Sequence, residues 1–173
     1  MRRPWYRRKR FVVPLVVAVV AIAVGAGDGQ RRAERQKPSS TCLVTYPDQQ
    51  PTDVCAGSSG GLTLADMHVS AGGLSRSSRV LGVEICVDLE LRNVATRSKD
   101  FSPWDFRLQT PGGEVKSFEW TAQTTLRRGV LVAGGTTSGR VCFSDAAEAG
   151  GQFVLIYKPS ALSKTRGTWL LRL

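Results

Sequence analysis

The sequence predicts an all-β domain, an antiparallel sandwich of short strands, carried behind one hydrophobic N-terminal helix. Three observations predict it. From Leu62 onward, short runs rich in Val, Leu, Ile, Phe and Thr recur between clusters of Gly, Pro, Ser and Asp, the texture of strands joined by turns. No segment of that stretch carries a convincing apolar stripe of period 3.6, and the best prospect of a helical turn, 145–150, is short. Val83, Ile85, Val87, Leu89 and Leu91 alternate with Glu84, Cys86, Asp88 and Glu90, so one strand offers one face to a core and the other to solvent.

Taken in order, residues 1–10 are a basic segment holding Arg2, Arg3, Arg7, Arg8, Lys9 and Arg10, and residues 11–27 carry no charge and are mostly Val, Ala, Leu and Ile. A basic flank before an apolar run is the grammar of membrane targeting. Such a run rises about 25 Å as a helix against a hydrocarbon core of about 30 Å, which fits both an uncleaved anchor and a cleaved signal. The charges before the run and the polar, basic stem from Gln30 to Lys37 favour the anchor; Ala21-Ile22-Ala23 and Val24-Gly25-Ala26 are the small-residue sites a cleaved signal would use. The membrane is therefore the first expected partner, with the N-terminal arginines cytoplasmic and the rest of the chain outside. Net charge is +10, but residues 1–40 hold ten basic and two acidic residues, and residues 41–173 are nearly balanced with 14 basic and 12 acidic. The basic character is thus a targeting address, and no nucleic-acid partner is expected.

Residues 28–61, rich in Gln, Arg, Pro, Ser, Asp and Gly, read as a flexible stem and loop, and 62–173 as the sandwich domain. Strands are expected at 62–69, 80–93, 105–109, 114–120, 129–132, 137–144, 153–157 and 168–173. Pro111-Gly112-Gly113 and Ala133-Gly134-Gly135-Thr136 read as hairpin turns. Cys42, Cys55, Cys86 and Cys142 are an even set in an exported chain and favour disulfides. Of the three connectivities, strand phase and proximity favour Cys86 with Cys142 and Cys42 with Cys55. Because Val141 and Phe143 share the core phase, Cys142 points outward as Cys86 does, so their bond is expected to staple neighbouring strands on the outer surface.

Catalytic chemistry is sparse. The single histidine, His68, reads as a half-buried strand residue rather than a base. Gly57-Ser58-Ser59-Gly60-Gly61 formally matches a nucleophile elbow around Ser59, but it lacks the strand-to-helix context that exposes such a serine, and it reads as a connector. No metal, nucleotide or cofactor motif is present. Glu84, Asp88 and Glu90, with Asp66 on a neighbouring strand, form an acidic row that reads as a solvated face and is otherwise a candidate for a cation or basic partner. Phe101, Phe106, Phe118, Trp120, Phe143, Phe153, Tyr157 and Trp169 suit a core. Trp104 either shares the phase of Phe106 and Leu108 and is buried, or stands in a loop as a binding aromatic.

Five pieces in order carry a resemblance: Val87-Asp88-Leu89-Glu90-Leu91-Arg92-Asn93, Phe101-Ser102-Pro103-Trp104-Asp105-Phe106-Arg107-Leu108, Leu131-Val132-Ala133-Gly134-Gly135, Gly139-Arg140-Val141-Cys142-Phe143 and Leu155-Ile156-Tyr157-Lys158-Pro159. Together they resemble the immunoprotective extracellular, immunoglobulin-like superfamily of exported Gram-positive proteins, which includes secreted mycobacterial antigens. The resemblance implies an immunoglobulin-like antiparallel β-sandwich outside the membrane, with no catalytic residues or cofactor to carry over. The chain departs from it at Ala133, where a proline is common. The function expected is a non-catalytic, membrane-anchored binding or accessory module for an envelope protein or cell-wall polymer. The alternatives are a cleaved, secreted antigen-like factor, or an envelope-acting hydrolase using Ser59 or the acidic row.

Overall fold

The computed structural model describes residues 42–57, 60–79, 82–144 and 150–173. The basic segment 1–10, the hydrophobic run 11–27 and the stem to residue 41 lie outside the described residues, as do Ser58, Ser59 and 145–149. Among the described residues no helix is long and apolar enough to cross a membrane.

In chain order the strands are β1 (Asp53–Ala56), β2 (Gly61–Leu64), β3 (Met67–Arg79), β4 (Gly82–Asn93), β5 (Lys99–Phe101), β6 (Phe106–Gln109), β7 (Val115–Ser117), β8 (Gly129–Leu131), β9 (Thr136–Ser144), β10 (Gln152–Tyr157) and β11 (Arg166–Arg172). They build a five-stranded sheet β1-β11-β10-β6-β7, a four-stranded sheet β2-β3-β4-β9 and a small pair β5-β8. All pairings are antiparallel except β1 with β11. Alternate residues of both larger sheets meet in one core: Ile85, Val87, Leu89, Leu91, Val141 and Phe143 from one side, Phe106, Leu108, Phe153, Leu155, Tyr157 and Trp169 from the other. This is a β-sandwich, with each inner face supplied by period-2 alternation.

Several segments differ from the sequence expectation, each for a local reason. The strand expected over 62–69 is a hairpin, because Ala65 and Asp66 both take left-handed φ values of 48° and 64°, the turn geometry that matches strand twist. Asp66 therefore sits in a turn, ion-paired with Lys99 at 3.2 Å, and not in the acidic row. The gap expected at 70–79 is strand as well, since Gly72 and Gly73 are absorbed at a register shift between Ala71 and Leu74. The strand expected over 114–120 ends at Ser117. The Gly134-Gly135 turn does not close a hairpin: β8 pairs with β5 and β9 with β4, so the chain changes sheets there, clamped by backbone bonds between Asn93 and both glycines.

The largest departure lies upstream of Gly61. Residues 53–56, read as loop, form β1 against β11. Cys42 and Tyr46 pack with Val154 and Ile156 on the outer face of the five-stranded sheet. The signal for this cover was present: 153–157 is an unbroken apolar run, and all five residues are buried, as expected of a strand covered on both faces.

Both expected disulfides are present. Cys86 and Cys142 are direct cross-strand partners with Cα atoms 4.1 Å apart, and Cys42 bonds Cys55 with Cα atoms 5.3 Å apart. The first does link neighbouring strands of one sheet, but it is not on the surface, since both cysteines are fully buried. The segment after β7 covers them. The Glu119 N–H donates to the Cys142 carbonyl at 3.0 Å, and the Gln123 amide donates to Ser77 Oγ at 2.7 Å with its Oε1 3.7 Å from Cys86 Sγ.

Candidate functional site

Of the residues singled out from sequence, the acidic row does not converge. Glu84 is buried opposite Ser77. Asp88 is exposed and engaged by Arg140, whose Nε and Nη2 donate at 2.8 and 2.9 Å, and this guanidinium holds its carboxyl below the usual range. Glu90 is exposed. The solvated-face expectation thus holds for Asp88 and Glu90 and is corrected for Glu84. His68 is half-buried, its Nδ1 3.0 Å from Thr63 Oγ1 across the β2–β3 hairpin. Ser59 lies outside the described residues.

Trp104 is the sequence-stated candidate that does stand at a site. It is 62% exposed, so the buried alternative is overturned. The cause is local: Pro103–Asp105 form one 3-10 turn, whose three-residue period breaks the two-residue phase of Phe106 and Leu108. Ser102 caps the turn, its Oγ accepting from the Trp104 N–H, while the Ser102 N–H donates to Asp105 Oδ2 at 2.9 Å. Ser-x-x-Asp with proline at the first turn position is legible in the sequence as a capping box. The indole stands edge-on to Phe118, ring centroids 4.3 Å apart. Phe118 in turn meets Trp120 at 5.0 Å, and Arg127 lies 4.7 Å over the Trp120 ring. Trp120, expected in the core, is 52% exposed, because the chain leaves the sheet after Ser117.

Beside Trp104 a groove of about 590 Å³ opens on the outer face of the five-stranded sheet. Asp48 and Gln50 of the N-terminal cover form part of its lining, with Arg107 and Val115 from β6 and β7, and Lys158 and Lys164 from the connection between β10 and β11. The cover reaches this far because Pro47 packs against Gly113, whose φ of 91° and missing side chain leave the space.

Its electrostatics follow from a buried ion network at one end. Arg166 donates through Nε to Asp53 Oδ1 at 2.8 Å, through Nη2 to Asp53 Oδ2 at 2.7 Å and through Nη1 to Asp48 Oδ2 at 2.9 Å. The Tyr46 hydroxyl and the Gln50 N–H also donate to Asp53 Oδ2, at 2.7 and 2.8 Å. Burial alone raises the Asp53 carboxyl, but the bonds from Arg166, Gln50 and Tyr46 outweigh it and hold it below the usual range. Burial, reinforced by the bond to Asp53, pushes the Tyr46 phenol up. Burial also pushes the Asp105 carboxyl up to about 6, against the opposing bond from the Ser102 N–H and the charge of Arg128. Both groove carboxylates are therefore already engaged, while among the described residues no ion pair joins Arg107, Lys158 or Lys164 to a carboxylate.

No family model matches the sequence, and no curated protein matches it. Solved structures do share the fold. The secreted protein MPT63 of Mycobacterium tuberculosis is 14% identical with a TM-score of 0.56, over 73% of this chain and 99% of that one. The yjhA protein of Bacillus subtilis is 11% identical with a TM-score of 0.54, over 66% and 98%. The ycdA protein of Bacillus subtilis is 17% identical with a TM-score of 0.53; the likeness covers 64% of this chain and only 38% of that one. At these identities the likeness is one of fold alone, the β-sandwich.

Proposed function

We propose that this protein is a non-catalytic binding or accessory module, anchored by its N-terminal hydrophobic segment and presenting the sandwich outside the cytoplasmic membrane. The observation that carries the reading is Trp104, a large apolar side chain kept 62% exposed by a capped turn at the lip of a polar groove. Exposed aromatics beside a concave polar surface are characteristic of recognition sites. Two disulfides in so small a domain suit an oxidising compartment. The basic flank and apolar run at 1–27 supply the route there. A hydrolase built on the acidic row has little support, since Glu84 is buried and Asp88 is tied to Arg140.

The test is surface cross-linking on intact cells producing the full chain with a C-terminal tag, followed by fractionation. A membrane-bound species whose cross-linked partner is lost with Trp104→Ala is the expected result. A shortened species in the medium, free of any partner, overturns the anchored module in favour of the secreted factor.

A further inference from the structure

We infer that the groove beside Trp104 binds a carboxylated polysaccharide, a chain of sugar rings bearing uronic acids. This deepens the binding-module reading and rests on it. Three features identify the ligand class. The aromatic surface is the Trp104 indole, 62% exposed at the lip of the groove and braced edge-on against the buried Phe118, ring centroids 4.3 Å apart. Sugar rings, with an apolar C–H face and a polar rim, stack on indole faces while their hydroxyls remain in water. In the same groove, Arg107, Lys158 and Lys164 are cations without an ion-pair partner among the described residues, and the guanidinium of Arg107 matches a carboxylate in plane.

The third feature is polarity. Only Val115, Ile156 and Ala161 are apolar in a lining otherwise of charged, amide and hydroxyl groups and the Trp104 indole, which suits a hydrated polymer better than a lipid chain or an amphipathic helix. The site is also pre-organised. The Ser102 and Asp105 capping bonds fix the turn that carries Trp104, and the Lys158 N–H donates to the Asp105 carbonyl at 2.8 Å, so little ordering opposes binding. An acidic peptide satisfies the cations but leaves the Trp104 indole unused, and it is the competing occupant the experiment must reject.

The experiment measures affinity of the full chain in detergent micelles for oligogalacturonate, for neutral dextran and for polyglutamate, at two salt concentrations. Oligogalacturonate is expected to bind at least about tenfold more tightly than either control, and more weakly as salt rises. Trp104→Ala and the double variant Lys158→Glu/Lys164→Glu are each expected to lose at least about tenfold, with near-ultraviolet circular dichroism unchanged. The basic residues of the N-terminal segment are common to every variant, so affinity that survives both changes belongs to that segment and overturns the inference. Equal binding of dextran or of polyglutamate overturns it too. Should Trp104→Ala fail to fold, the lysine pair decides alone. A cross-linked partner in cells together with no oligogalacturonate affinity ends this inference and leaves the binding module standing; loss of any partner ends both.

Discussion

Arg166 and Asp53 illustrate how a single pair can set the acid limit of the domain. The Asp53 side chain is fully buried and Arg166 nearly so, so removing the cation strands a charge; Arg166→Leu is expected to cost about 3–5 kcal/mol in urea unfolding. The same pair predicts part of the pH profile. Asp53 is held below its ordinary value, so its contribution is present above the unfolded pKa and is lost as pH falls below it. Asp105 acts in the opposite sense. Its folded pKa of about 6 lies above the ordinary carboxylate value, so the folded state binds the proton more tightly and stability rises as pH falls from about 6 toward 4. Thermal unfolding across pH 3 to 8 should show a maximum between these limits, and Asp105→Asn should remove the rise between pH 6 and 4 while leaving the acid loss. A profile unchanged by that substitution would exclude Asp105 as its source.

At the scale of elements, the segment 118–126 turns an outer sheet face into a second buried layer. Its fit depends on Gly139 of β9: a Cβ there would stand 2.6 Å from the Leu126 Cα and 2.7 Å from its nitrogen, both backbone atoms that cannot swing aside. Gly139→Ala is expected to destabilise by about 1–3 kcal/mol and to expose the Cys86–Cys142 bond to reductant, read as faster thiol labelling. Deleting that bond by Cys86→Ala/Cys142→Ala should cost about 4 kcal/mol by the loop it closes. The pairing itself was legible, because Val83, Ile85 and Val87 against Val141 and Phe143 set the phase of both strands. The burial was not, because the covering residues Glu119, Thr121, Gln123 and Thr124 form no periodic pattern and bond through backbone and short polar side chains. The choice between the two readings of Trp104 was not legible for a related reason, as the strand phase does not carry through a proline turn that has a different period.

Across the whole molecule, the strands that alternate or run continuously apolar, β4, β9 and β10, were legible because two opposed faces must each be buried or wetted. The β1–β11 closure was not, since Asp53 and Cys55 have no strand signature and the pairing joins residues more than a hundred positions apart in the chain. The groove was legible only as Trp104; its cations come from a strand and a loop that no local pattern connects. That closure has a mechanical consequence. β1 and β11 run parallel, so tension between residue 42 and Leu173 shears their hydrogen bonds together instead of unzipping them singly. The Cys42–Cys55 bond passes the load directly to β1, so the residues between Cys42 and β1 carry none of it. Stretched as a single molecule, the oxidised chain should yield in one rupture. Cys42→Ala/Cys55→Ala should first release about 40 Å of slack, the length of chain that the sulfur bridge otherwise keeps from the force.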